Sequence, residues 1–261
     1  MSLDAERYLV PGLVRGIEIL RLFNRERNRI SAPQMARELG IPRSTVFRIA
    51  QTLEHLNLLQ RDEANYYSLG SAILGFGFEY IAGLEPVDVG REDLEQLRDV
   101  TGCSAHMVIR DGVDVVVVLK AAGFATFSGS LDIGTRLPAY ATVLGRATLT
   151  DMDTCQLTEI FKGVNFQRFT GKSPVDVWQL GVLLQRDRAQ GCAISRFSFE
   201  EGVSSVAAPV RDHSGQVVTA INVTLFGNAP IPDELIGQVK NCAASISHRL
   251  HYRDTNMRAT S

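Results

Sequence analysis

Apolar residues recur at helical spacing along the first seventy positions, and the places where that spacing breaks define the elements. In residues 13–23, LVRGIEILRLF, the positions Leu13, Ile17, Leu20 and Leu22–Phe23 predict an amphipathic helix that NRERNR then ends. ISAPQMARELG follows with a full set of start signals. Ser31 stands at the N-cap, Gln34 at the third helical position as in a capping box, and Ile30 is placed to staple onto Met35. Gly40 tolerates the left-handed conformation that closes a helix, and Pro42 suits the start of the next, where its missing N–H costs nothing. Two helices joined within about three residues must cross steeply, which is helix-turn-helix geometry. On the second helix Val46, Ile49, Ala50 and Leu53 mark the inward face, while Ser44, Arg48 and Gln51 fall on the opposite side, flanked by Arg43, Thr45 and Phe47. Leu58–Arg61 and Tyr66–Leu69 then flank the turn-rich DEAN and predict a hairpin, the wing of a winged helix-turn-helix domain over residues 1–70.

Past residue 70 the pattern changes twice. SAILGFGFEYIAGLEPVD carries Ile73, Leu74, Phe76, Phe78, Ile81 and Leu84 around much of a helix, so a linker helix over 71–86 is expected to pack on another domain or on its own copy. GFGFEY within it is not a dinucleotide loop, because the third glycine and a preceding strand are missing. From 87 to 253 strands and helices alternate irregularly. A helix at Arg91–Thr101 precedes SAHMVIRDGVDVVVVLKAA, in which RDG is a hairpin turn, and SSVAAPVR and QVVTAINVTLF flank DHSGQ before a closing helix over Pro232–His251. This is an α+β domain with antiparallel hairpins at both ends. Residues 254–261 are expected to be a flexible tail.

Composition narrows the function classes. Apolar residues make up 45% and charged residues 21%, as in a soluble globular protein, and no apolar run approaches the ~20 residues of a membrane helix. The N-terminus, MSLDAERYLVPGLVRG, lacks a basic and an apolar signal region, so a cytoplasmic protein is expected. Net charge is −2, yet residues 21–61 hold eight arginines against three glutamates. A basic module within an acidic chain fits DNA binding. Cys103, Cys155, Cys192 and Cys242 are far apart, so neither a disulfide nor a structural metal is expected. Asp151 and Asp153 in TDMDT read as a helix start rather than a metal site, and His106 as a core histidine with its hydrogen bonds satisfied. No catalytic motif, cofactor loop or metal-binding motif is present.

ARELGIPRSTVFRIAQTLEHLNLLQRD, YYSLGSAILGFG, GTRLPAYATVLGRA and FEEGVSSVAAPVRDHSGQVVTAINV, taken in order, make the chain resemble the IclR family of bacterial transcriptional regulators over nearly its whole length. The resemblance implies a dimer, often a tetramer, with a GAF-like or profilin-like C-terminal domain that binds a small organic acid. It places the effector at Ser128, Ser130, Val143, Leu144, Ser195, Ser205, Asn222 and Thr224. Members that bind small oxo acids carry aspartate where Ser195 stands and cysteine where Ser205 stands, which argues against a glyoxylate-like or pyruvate-like effector. RLPAYATVLGRA and AINV look more like regulators of aromatic-acid catabolism.

The expected DNA-binding residues are Ser31, Gln34, Arg43, Ser44, Thr45, Phe47, Arg48 and Gln51, with Ser31 and Gln34 weighed more toward capping. The partner is double-stranded DNA, a pseudo-palindromic operator read by a two-fold dimer. The alternative is an enzyme acting on a small carboxylic acid, with the N-terminal domain as a dimerisation module.

Overall fold

The computed structural model describes residues 8–123, 131–227 and 230–252, and the chain divides into two compact units, 1–83 and 84–261. The first contains α1 (Pro11–Arg21), β1 (Ile30–Ser31), α2 (Ala32–Leu39), α3 (Arg43–His55), β2 (Leu59–Arg61), β3 (Tyr66–Leu69) and α4 (Ala72–Ala82). Its core joins Ile19 and Phe23 to Ile30, Met35, Val46, Ala50, Leu53, Leu59 and Tyr67. Gly40 caps α2 in the left-handed region at φ 64°, and Ile41 N donates back to the Ala36 carbonyl, so the chain turns sharply into α3.

Two features of this unit depart from the sequence reading. The buried face of α1 runs through Gly16 and Ile19 toward Phe23, leaving Leu13 and Ile17 exposed beside Tyr8, Leu9, Val10 and Val14. The helix carries two apolar stripes, and only one meets the core. The wing also has a third strand, since β1 pairs antiparallel with β3 (Ile30 with Tyr67), and β3 with β2. Helix α4 buries none of its residues; Leu74, Phe76, Phe78 and Tyr80 are all exposed.

The second unit opens with α5 (Glu85–Thr101), six residues earlier than the sequence suggested, then β4 (Ser104–Asp111), β5 (Asp114–Ala121), β6 (Arg136–Pro138), α6 (Val143–Thr148), α7 (Thr154–Ile160), α8 (Val177–Gln190), β7 (Ala193–Arg196), β8 (Val203–Arg211), β9 (Val217–Phe226) and α9 (Asp233–Arg249). Among the described residues these strands form one antiparallel six-stranded sheet, ordered β6-β5-β4-β9-β8-β7. Helices α5 and α9 pack together and on the sheet, with Ile246 and Met107 meeting at Gly90. On the other face α6 lies over β7, β8 and β9, with α8 against α6 and α7.

Every residue of α6 is buried. It comes so close to the preceding loop that a Cβ on Gly145 would sit 2.1 Å from the Ala139 carbonyl oxygen, which only glycine avoids. Arg146, next along, donates to Asp187 of α8 at 2.7 Å and to the Ile194 carbonyl of β7 at 2.8 Å. Burial raises the Asp187 pKa against the lowering influence of Arg146. The pair fixes α6 between α8 and β7, beside Ser195. Removing one partner of such a buried pair would strand the other charge. Asp153 caps α7, accepting from Gln156 N at 2.8 Å, as the helix-start reading of TDMDT required. Asp151 instead pairs with Arg211.

Candidate functional site

In the first unit α3 presents the expected surface. Arg43, Ser44, Phe47, Arg48 and Gln51 are exposed and Thr45 is half-buried, while Val46, Ala50 and Leu53 face the core. Thr45, Arg48 and Gln51 line an open groove with Thr52, His55 and Gly12. His55 was missed in the sequence although it lies one helical turn beyond Gln51, on the stripe Ser44–Arg48–Gln51–His55. Ser31 and Gln34 are directed at each other: the Ser31 backbone N–H and hydroxyl both donate to Gln34 Oε1 at 2.8 Å. These bonds cap the start of α2 and leave the Gln34 amide hydrogens unused by it.

The local arginine excess is partly tied down. Arg27 pairs with Glu38, Arg29 with Asp62 and Arg61 with Glu54, and the Arg29 guanidinium stacks 4.4 Å from the Tyr66 ring centre. Arg43 and Arg48 have no ion-pair partner among the described residues, so their charge is left for an external anion.

In the second unit a cavity of about 200 Å³ opens between α6 and the sheet. Six predicted effector positions, Val143, Leu144, Ser195, Ser205, Asn222 and Thr224, line it together; Ser128 and Ser130 lie outside the described residues. The strand register explains the convergence. Ser104, Thr224, Ser205 and Ser195 stand directly opposite one another across β4, β9, β8 and β7, making a row of hydroxyls over four strands. Sequence reasoning missed Leu131, Thr135, Leu137, Thr142, Phe199, Val203, Phe226 and Glu200, the exposed residue that is the lining's one carboxylate among the described residues. These come from loops and strand ends far apart in the chain, where periodicity gives no signal.

Of the cavity hydroxyls, Thr142 accepts from Gly145 N and donates to the Pro138 carbonyl, while three others only accept. Thr135 accepts from Asp132 N at 3.1 Å, Ser195 from Ser198 N at 3.2 Å and Thr224 from Asn222 Nδ2 at 3.2 Å. A hydroxyl that already accepts keeps its hydrogen to give. None of the three gives it to a described residue. Among the described residues the lining holds no lysine or arginine.

His106 lies behind this wall, opposite Asn222 on the neighbouring strand. It is buried, and its Nδ1 is 3.1 Å from Asn222 Oδ1. Burial is the main cause that pushes its pKa down to about 4, opposed by the Asn222 bond; Lys120 and Asp132, joined to each other at 2.8 Å, act in opposite senses. Nε2 has no hydrogen-bond partner among the described residues, although the nearby Leu131 backbone carbonyl acts to raise the ring's pKa. The expectation of a fully satisfied core histidine is therefore corrected: one nitrogen is bonded and the other is not.

Comparison with known proteins matches both units. Residues 12–63 fit the IclR helix-turn-helix domain, and residues 78–248 fit the bacterial transcriptional regulator IclR C-terminal domain. The chain is 30% identical over 216 residues to the Pca regulon regulatory protein of Pseudomonas putida, covering 82% of this chain and 74% of that one. A transcriptional regulator from Rhodococcus sp. RHA1 superposes with a TM-score of 0.82 at 28% identity, covering 93% of this chain and 99% of that structure. An IclR homologue from Microbacterium hydrocarbonoxydans, solved in complex with 4-hydroxybenzoate, has the same fold, with a TM-score of 0.80 at 18% identity over 92% of this chain and 99% of that one.

Proposed function

The chain belongs to the IclR family of bacterial transcriptional regulators, and from that premise we propose that it binds a one-ring aromatic acid in the cavity beneath α6 and changes its hold on operator DNA in response. The matched relatives are regulators, and the enzymatic alternative finds no support among them. The observation that carries the ligand class is the direction of the hydroxyls. Thr135, Ser195 and Thr224 each accept from the protein and have a hydrogen left over, so the group they suit is an acceptor with several lone pairs, a carboxylate. Phe199, Phe226, Leu137 and Val203 supply apolar walls. A cavity of roughly 150 Å³ holds benzene, so about 200 Å³ suits one ring with small substituents. The exposed Glu200 would accept a hydrogen bond from a phenol at the far end of the ring. The 4-hydroxybenzoate in the Microbacterium homologue has this two-ended polarity.

On the DNA side, a two-fold dimer would place its α3 helices in successive major grooves about 34 Å apart. Arg48 and Gln51 would reach base edges, with Arg43, Ser44 and Thr45 on phosphates. The exposed apolar stripe of α1 and the exposed rings of α4 are the surfaces offered to a second copy.

A thermal-shift series on the full chain tests the ligand class. Benzoate and 4-hydroxybenzoate at about 100 times Kd should stabilise the protein by roughly 2.7 kcal/mol, and Thr224→Val should remove about half of that gain at the same acid concentration. Stabilisation by glyoxylate with none by either aromatic acid would refute it.

A further inference from the structure

We propose that His106, outside the cavity wall, is a positioning residue for the effector: it fixes the direction of the hydrogen-bond relay through Asn222 to Thr224, so that Thr224 donates into the cavity. The inference rests on the reading of this cavity as the effector site.

A neutral imidazole carries one N–H, and a histidine pushed down to about 4 is neutral at physiological pH. Asn222 turns its carbonyl oxygen to His106 Nδ1 at 3.1 Å, and an oxygen only accepts, so the ring hydrogen sits on Nδ1. The amide nitrogen of Asn222 then points at Thr224 Oγ1, 3.2 Å away, and donates to it. Thr224 is left with a hydrogen and no protein acceptor among the described residues. In the row Ser205 lies directly across from it and Ser195 directly across from Ser205, so a ligand oxygen placed there meets neighbouring hydroxyls as well.

The relay has a cost. With the hydrogen on Nδ1, Nε2 becomes a buried acceptor, and it has no donor. Turning the amide over would move the ring hydrogen to Nε2, toward the Leu131 carbonyl, and satisfy it. Thr224 would then donate back to Asn222 and could only accept from a ligand, which a carboxylate cannot use. The orientation that leaves Nε2 unpartnered is thus the one that suits an anionic acceptor.

Long-range ¹H–¹⁵N spectroscopy of the full chain at pH 7 reads the tautomer directly, and His106→Asn identifies the resonance by its loss among the five histidines. The expected result is a protonated Nδ1 and a bare Nε2; a protonated Nε2 overturns the proposal whether or not any ligand binds. Benzoate titration by calorimetry supplies the second arm. His106→Asn keeps an N–H where Nδ1 was and should bind about as wild type does. His106→Leu and Thr224→Val should each lose about tenfold or more, the effect of one hydrogen bond to a charged acceptor. The double variant should lose little beyond Thr224→Val alone, because the two residues act through one hydrogen. Wild-type affinity in a folded His106→Leu protein, or additive losses, would overturn the proposal. Should His106→Leu not fold, the tautomer and the Asn variant still decide. If wild type shows the Nδ1 tautomer but binds no benzoate, the relay stands and the ligand class falls.

Discussion

Arg43 and Arg48 sit five residues apart on α3, both exposed and both without an ion pair among the described residues, and under the proposed reading their places on the helix suit them to different contacts. Arg48 lies on the stripe with Ser44 and Gln51, whereas Arg43 is at the first turn, beside the backbone a groove-bound helix approaches. Arg48→Ala should relax discrimination at one operator position by ~1–3 kcal/mol, and Arg43→Ala should weaken operator and random DNA alike. Gel shifts at fixed salt separate the two, and equal losses on both DNAs for the Arg48 variant would make it a phosphate contact.

His106 gives a second prediction at this scale. Its pKa in the fold is about 4 against an ordinary value of 6.5, so between those pH values the unfolded chain binds more protons than the folded one. The stability tied to this residue is complete above 6.5 and is lost as pH falls toward 4, by about 3 kcal/mol at most. Denaturant unfolding at pH 7 and pH 4.5 should show a smaller acid loss in His106→Asn than in wild type; identical losses would show that the ring titrates normally.

Elements differ in how far they were legible, and the difference follows the range of the interactions that make them. The helix-turn-helix was readable because its signals are local: a cap at Ser31, a left-handed glycine at 40, a proline at 42 and an apolar stripe on α3. Helix α1 was legible in part: Leu20, Leu22 and Phe23 meet the core, but Leu13 and Ile17 are as apolar as the buried Ile19 and only tertiary packing selects between them. Helix α5 was started late, because residues up to 86 read as part of the linker helix. In the fold Pro86 falls in the first turn, where it is tolerated, and Gly90 is where Met107 and Ile246 press on the helix. Strands β6 and β7, with three and four residues, are too short for a period-two pattern and are held by their neighbours. The cavity was half legible. Residues on β7, β8, β9 and α6 were placed through family resemblance, but Thr135, Phe199 and Glu200 reach it from loops, and the His106 relay depends on a cross-strand register that no local pattern encodes.

Taken whole, the chain is acidic overall with a basic reading module, and three of the arginines in that module are held by carboxylates on its own surface. Its hold on DNA should therefore depend on few free cations and on oriented hydrogen bonds, and should vary with salt. Regulation requires the effector to favour one arrangement of the assembly over another, because a ligand with equal affinity for both shifts nothing. The most direct measurement is fluorescence anisotropy of a labelled duplex from the chain's own upstream region, titrated with the full protein at fixed salt, with and without saturating 4-hydroxybenzoate. The acid should change the Kd for DNA by about fivefold or more, the lower end of ordinary allosteric coupling, and Thr224→Val should need about tenfold or more acid for the same response while binding DNA as before. An acid that calorimetry shows bound, with the Kd for DNA unmoved, would contradict that coupling.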